Sequence, residues 1–346
     1  MSPNHRHFLE VVGAGALSGN LAASGDFVPT RASSTKSART WEGIWAGLPT
    51  PFSPDFSLDL SSLEANIRRM LKAGVHGVYL LGSTGEFYTI EFDEFQQLAD
   101  LLVKTAAGSG TPVAINCGTP NTRATLRQLE YARQAGCDAA QLTIPYWMEM
   151  TPREVLRFFK DVATAVPDLP IIHYNIPRAK HYLLGPDYVK VREVCPNLVA
   201  IKFTFSGSHW ADLQEAIRLN PTVKFYISEH LLVSAMQLGA RGSCSAKVYT
   251  NSGFVLKMYR LAQEKKWDQA MPMQRRLAEL SARFGPFAES LGEGRIDPQV
   301  DKALGIASGT LVGHQRTRLP FIGWSDKNVQ ALREWMKKDF PEFMAA

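Results

Sequence analysis

Cysteine is scarce in this chain, and what there is lies scattered. Cys117, Cys137, Cys195 and Cys244 form no CxxC pair, which excludes a zinc ribbon and a redox dithiol. No apolar run approaches the roughly 20 residues of a membrane-spanning helix, so no membrane partner is expected. Neither GxGxxG nor a Walker loop occurs, which removes the usual phosphate-cradling turns of nucleotide enzymes. Charge of one sign is also lacking. The net charge is only +5, and no basic stripe is interleaved with aromatics, so nucleic acid is not an expected partner. What remains is 346 residues, 45% of them hydrophobic and 21% charged. That composition can bury a large core without staples.

Residues 1–40 read differently from the rest. Four of the positive charges, Arg6, Arg31, Lys36 and Arg39, lie there against Glu10 and Asp26, so the remainder is close to neutral. Arg6 and His7 precede a short Ala/Gly-rich apolar stretch, Phe8 to Ala23, with small residues Ala22-Ala23-Ser24 behind it. This is the layout of an export signal. The run from His5 to Leu17 resembles a twin-arginine signal in which His5 replaces the first arginine. Two readings stand: an export leader on a periplasmic protein, or a disordered leader on a cytoplasmic one.

From Gly43 onward, short apolar runs alternate with longer amphipathic ones. Apolar runs of this kind read as buried parallel strands. The eight are Gly43–Leu48, Val75–Leu81, Pro112–Cys117, Ala139–Ile144, Pro170–Tyr174, Val199–Phe203, Val223–Ile227 and Gly242–Ser245. Helices fit between them, as over Leu60–Lys72, whose Leu63, Ile67, Met70 and Leu71 share one face. Gly74, Gly136 and Gly239 stand where helix C-caps belong. Eight such units predict a (β/α)8 TIM barrel, an α/β fold, over residues 41–265. A doubly wound sheet is the alternative, but it would need fewer strands and a nucleotide loop. Helix-like sequence at Val255–Phe284 and Ser325–Phe340 predicts a helical C-terminal extension over 266–346. The Gly/Pro-rich stretch 285–323 carries no clear pattern.

In a TIM barrel, chemistry lies at the C-terminal strand ends. There the sequence offers Gly82-Ser83-Thr84-Gly85-Glu86 after the second strand and Pro145-Tyr146-Trp147 after the fourth. Tyr174-Asn175-Ile176-Pro177 ends the fifth, and Lys202 lies between Ile201 and Phe203 on the sixth. A lysine in an apolar strand is costly unless paired or neutral. Desolvation would lower its pKa and make the amine a nucleophile toward carbonyl carbon. The Ser83-Thr84 turn could hold a carboxylate, and the Tyr174 phenol could relay protons. Each has a plainer alternative: a snorkelling lysine, a turn capping the helix near Glu91, a satisfied core tyrosine. His173, Glu229, His230 and Lys247, near strand ends, could touch substrate but suit structural or solvent-facing roles.

Together, the Gly82–Glu86, Tyr174–Pro177 and Lys202 motifs are similar to those of the dihydrodipicolinate synthase/N-acetylneuraminate lyase superfamily of class I, pyruvate-handling aldolases. The resemblance covers about Trp45 to Leu277. It implies a lyase in which Lys202 forms a Schiff base with pyruvate or another 2-oxo acid. Ser83 and Thr84 would bind the carboxylate, and Tyr174 would pass protons. Cys244 would offer its backbone carbonyl to the substrate. An aldehyde would be the second small molecule. Neither metal nor organic cofactor is implied, and a homo-oligomer, dimer or tetramer, is.

Departures from the family pattern bear on the substrate. Ala179 stands where the lysine-pathway synthase has an arginine for its second substrate. The neighbouring Arg178 is expected to point elsewhere by side-chain alternation. Trp147 replaces a tyrosine that reaches a neighbouring subunit's site, and would present an apolar surface to substrate. Phe203 follows the lysine where an acidic or amide residue is common. Ser228-Glu229-His230 replaces Gly-Asp-Asp, with Ser228 a substrate-binding candidate. These argue for a bulkier or more apolar acceptor than the lysine pathway uses. The stretches 145–150 and 161–167 also resemble hydratase-aldolases of aromatic ylidene-pyruvates. A non-catalytic carboxylate-binding relative is the alternative from another class.

Overall fold

The computed structural model describes residues 40–204 and 209–345. The leader expected over 1–40 lies outside the described residues, Thr40 apart. Eight parallel strands close into a barrel in chain order, with β8 returning to β1. They are β1 (Gly43–Gly47), β2 (Gly77–Leu80), β3 (Val113–Asn116), β4 (Ala139–Leu142), β5 (Ile171–Asn175), β6 (Leu198–Phe203), β7 (Lys224–Tyr226) and β8 (Gly242–Ser245). The expected (β/α)8 barrel is therefore the fold.

Eight helices cover the barrel: α1 (Leu60–Ala73), α2 (Phe92–Ala106), α3 (Thr122–Ala135), α4 (Pro152–Ala165), α5 (Gly185–Val194), α6 (Trp210–Leu219), α7 (Leu232–Leu238) and α8 (Ser252–Gln263). The apolar stripe of α1 buries Leu63, Ile67 and Met70. Asp59 caps its first turn by accepting from the Ser62 N–H at 3.0 Å. Gly74, Gly136 and Gly239 all end their helices in the left-handed conformation, which glycine adopts without a Cβ penalty.

Inside the barrel each strand contributes one residue to a layer: Trp45, Tyr79, Ala114, Ala139, Ile172, Ala200, Tyr226 and Cys244. Three large rings thus fill space left by three alanines. The rings also dictate neighbouring glycines. A Cβ on Gly77 would lie 2.3 Å from the Trp45 ring, and one on Gly47 would lie 2.3 Å from the Tyr79 hydroxyl.

The helix-like stretch 255–284 is two helices, because the chain turns at Lys265, whose φ is +56°. Beyond it come α9 (Trp267–Ser290), α10 (Asp297–Ser308) and α11 (Asp326–Asp339). These share one continuous apolar core with the barrel helices. Helix α10 has no apolar stripe to read because it is buried on nearly every side, Gln299, Asp301 and Lys302 included.

From α10 and the segment after it, polar groups reach back to the turn behind β2. The Lys302 ammonium pairs with the Glu86 carboxylate, the two side chains 3% and 0% exposed. The Arg318 N–H donates to the other Glu86 oxygen at 2.9 Å, and the Arg318 guanidinium grips Glu94 at 2.6 Å. Both cations lie over the Phe52 ring, at 4.5 and 4.6 Å. Burial pushes Lys302 down to about 8, against the pull of Glu86.

Removing one partner of a buried ion pair leaves the other uncompensated. Glu86→Gln is therefore expected to lower the unfolding free energy by about 3–5 kcal/mol. Adding Lys302→Met should restore much of it. Urea denaturation of the three proteins checks this, and equal stability of Glu86→Gln and the parent would refute it.

Candidate active site

Strand β6 pairs with β5 and β7 so that Lys202 lies beside Tyr174 and Tyr226. Its partly buried side chain enters the barrel mouth. The amine donates to the Tyr79 hydroxyl at 3.3 Å and sits 4.0 Å from the centre of the Tyr174 ring. The Tyr174 hydroxyl lies 3.3 Å from Ser83 Oγ. A lysine, a phenol and the first hydroxyl of the β2 turn thus form one connected group. Ser83 and Thr84 do not cap the following helix. Glu91 occupies that position, its N–H donating to Glu94 at 3.0 Å.

The other predicted residues spread more widely. Thr84 Oγ1 donates to Asp301 of α10. Cys244 belongs to the barrel layer beneath Lys202, with Gln141 Nε2 3.9 Å from its sulfur. Ser228 follows β7 and caps the turn Glu229–Leu231, its carbonyl accepting from the Leu231 N–H at 2.9 Å. Trp147 stands apart. Its side chain is 72% exposed and lines a surface groove with Met148 and Pro120. Its carbonyl accepts from Lys180.

The strand-end residues considered above divide similarly. His173 faces outward, bonded to the Tyr188 hydroxyl at 2.8 Å and edge-on to Phe159, and burial pushes its imidazole down to about 3. Glu229 accepts from the Lys247 N–H at 2.7 Å. The Lys247 ammonium lies 3.5 Å from Asp301, whose carboxyl is raised chiefly by burial. Burial likewise lowers His230.

Lys202 is held by opposing influences. Burial works against its ammonium. Tyr174, Tyr79 and Cys244, once ionised, favour it strongly enough to carry its pKa well above the ordinary range. Yet burial pushes the Cys244 thiol up to about 12 and raises the Tyr79 phenol further. Near neutral pH these two are uncharged, so their ionic support for the ammonium is absent there.

Beside Ser83 and Tyr174 opens a cavity of about 310 Å³. Phe87, Tyr88, Tyr146 and Phe321 form its aromatic wall, with edge-to-face contacts at 5.5–5.9 Å. Thr143 also lines it, and its hydroxyl has no protein partner. Ala179 and Arg178 both line it too. This corrects the expectation that Arg178 points away. Residues 177–179 form a 3-10 turn, so strand alternation does not apply. The Arg178 guanidinium meets Asp297 of α10 through two bonds, at 2.9 and 3.3 Å.

Sequence reasoning missed Tyr79, Asp297, Asp301 and Lys302. Tyr79 sits in an apolar strand far from Lys202 in the chain, and only barrel closure brings them together. The α10 residues lie in the stretch that offered no pattern. Among the described residues, no group of three or more His, Cys, Asp or Glu is arranged to hold a metal.

The chain belongs to the dihydrodipicolinate synthetase family, whose model matches residues 40–335. The 4-hydroxy-tetrahydrodipicolinate synthase of Methanothrix thermoacetophila is 30% identical, over 86% of this chain and 97% of the relative. An uncharacterized DapA-like lyase of Thermococcus kodakarensis is 27% identical, over 72% and 85%. Among solved structures, dihydrodipicolinate synthase from Aquifex aeolicus matches with a TM-score of 0.77 at 27% identity, over 86% of this chain and 98% of that one. A prophage protein of the same family from E. coli K12, solved with pyruvate, also gives 0.77, over 86% and 98%; at 23% identity the likeness is one of fold.

The Tyr79 hydroxyl is the hydrogen-bond partner of the Lys202 amine, and it favours the ammonium. Tyr79→Phe keeps the ring in its layer and removes that support. The Lys202 pKa should fall, read by carbon NMR of the reductively methylated amine against pH. An unchanged or raised value would refute this account of the lysine's environment.

Proposed function

We propose that this member of the family is a class I lyase or aldolase that forms a Schiff base between Lys202 and pyruvate or another 2-oxo acid. The observation that carries the reading is the Lys202–Tyr174–Ser83 group at the C-terminal mouth of the barrel. The neutral amine attacks the keto carbon, and the oxygen leaves as water after protonation. Tyr174 lies where it can deliver that proton and return one through Ser83. The backbone of the Ser83–Thr84 turn and the Ser83 hydroxyl hold the carboxylate, while Thr84 Oγ1 is committed to Asp301. The protonated imine then accepts electrons from C3. Cleavage, condensation or dehydration follows according to the second reactant.

The aromatic wall beside this group favours a particular version, a hydratase-aldolase on aromatic ylidene-pyruvates. An aryl aldehyde would pack against Phe87, Tyr88, Tyr146 and Phe321, gaining about 0.5–1.5 kcal/mol per aromatic pair beyond burial. The reading also carries an oligomer. Trp147 and Met148 are exposed by 72% and 73%, and they would be covered by a second copy. Trp147 therefore contributes to substrate binding only through assembly.

Treatment with pyruvate and borohydride should label Lys202 covalently, located by peptide mapping. A label elsewhere, or none with any 2-oxo acid, removes the Schiff-base reading. Retro-aldol and condensation assays should give a higher kcat/KM for an aryl aldehyde such as benzaldehyde than for aspartate semialdehyde. The reverse order would place the chain with the lysine-pathway synthases.

A further inference from the structure

We infer that Asp297 sets the acceptor preference of this site, by occupying the Arg178 guanidinium that a second substrate carboxylate would otherwise use. The inference deepens the function proposed above and rests on that reading for its chemistry.

Beyond the Ser83–Thr84 turn, Arg178 brings to the cavity a planar fork of N–H donors suited to a second carboxylate. That fork is already taken. Nη1 and Nη2 donate to the two oxygens of Asp297 at 2.9 and 3.3 Å. Asp297 itself is well fixed. It lies in the first turn of α10, where the helix dipole favours negative charge. Burial opposes its ionisation, but the bonds and charge of Arg178 outweigh that and hold the carboxyl below its usual range. At neutral pH the fork therefore faces an ionised internal carboxylate.

A substrate carboxylate arriving here would have to share or displace that partner, with Asp297 as a like charge beside it. An uncharged aryl group meets no such obstacle. The remaining wall is aromatic. The volume of about 310 Å³ also suffices, since a cavity of about 150 Å³ already admits benzene. The pair is open to solvent while the cavity is empty, with side chains 64% and 35% exposed, so it adds little to stability. A ligand filling the cavity strips that water away, and the pair then strengthens just when discrimination is required.

The test uses two ligands that need no covalent chemistry: glutarate and 3-phenylpropionate. Each offers one carboxylate to the Ser83–Thr84 turn, and they differ in whether the far end is charged or aryl. Calorimetry on the full chain should show the parent protein preferring 3-phenylpropionate. Asp297→Asn, and Asp297→Ser made in parallel, should shift the ratio of the two Kd values toward glutarate by about tenfold. The double variant Arg178→Ala/Asp297→Asn should lose the shift. An unchanged ratio in variants with the parent's melting profile overturns the inference. So does a shift that persists without Arg178. The borohydride trap on the parent protein is scored separately. Failure there removes the Schiff-base chemistry while leaving the ligand ratio to decide the role of Asp297.

Discussion

The site depends on how one buried carboxylate is neutralised. Glu86 is fully buried, and a charge so placed is tolerable only when paired. Its partners, Lys302 and the Arg318 N–H, lie more than 200 residues further along the chain. The turn they secure is tight. Leu81 and Glu86 both have φ near +60°, and a Cβ on Gly85 would come within 2.8 Å of the Leu81 backbone. Non-glycine residues persist in that conformation only where their surroundings over-determine it. The C-terminal helices thus hold in shape the turn that presents Ser83 and Thr84.

The same helices arrange charge around the barrel mouth. Asp297 and Asp301 stand four residues apart on α10, one facing Arg178 and the other Lys247. Lys302, the next residue, faces Glu86. Lys202 differs from these cations: among the described residues no carboxylate lies within ion-pair distance, and its neighbours are the rings of Tyr79 and Tyr174 and the Cys244 thiol. One amine is therefore left free of a fixed counter-charge where the others are matched.

The barrel was legible because each strand carries its own apolar run and each early helix its own stripe and cap. All eight strands begin and end within two residues of their expected bounds. That Lys202, Tyr174 and Ser83 stand together at the barrel mouth was also legible, because a polar group at the end of an apolar strand is conspicuous. Helix α10 was not, since residues buried on all sides leave no periodicity, and its charged members look solvent-facing until their partners are known. Arg178 was misread for a related reason: a strand that ends in a 3-10 turn changes which way its residues face. Tyr79 shows the remaining limit. Nothing local distinguishes a tyrosine that fills a barrel from one that also touches the key lysine.

The rings inside the barrel have a further consequence. Trp45, Tyr79 and Tyr226 fill its lower part, Trp41 stacks on Trp45 at 5.9 Å, and the Tyr226 hydroxyl closes onto the Trp41 carbonyl at 2.9 Å. The vessel is therefore stoppered at one end. Among the described residues, the cavity beside Ser83 and Tyr174 opens at the other end, the rim.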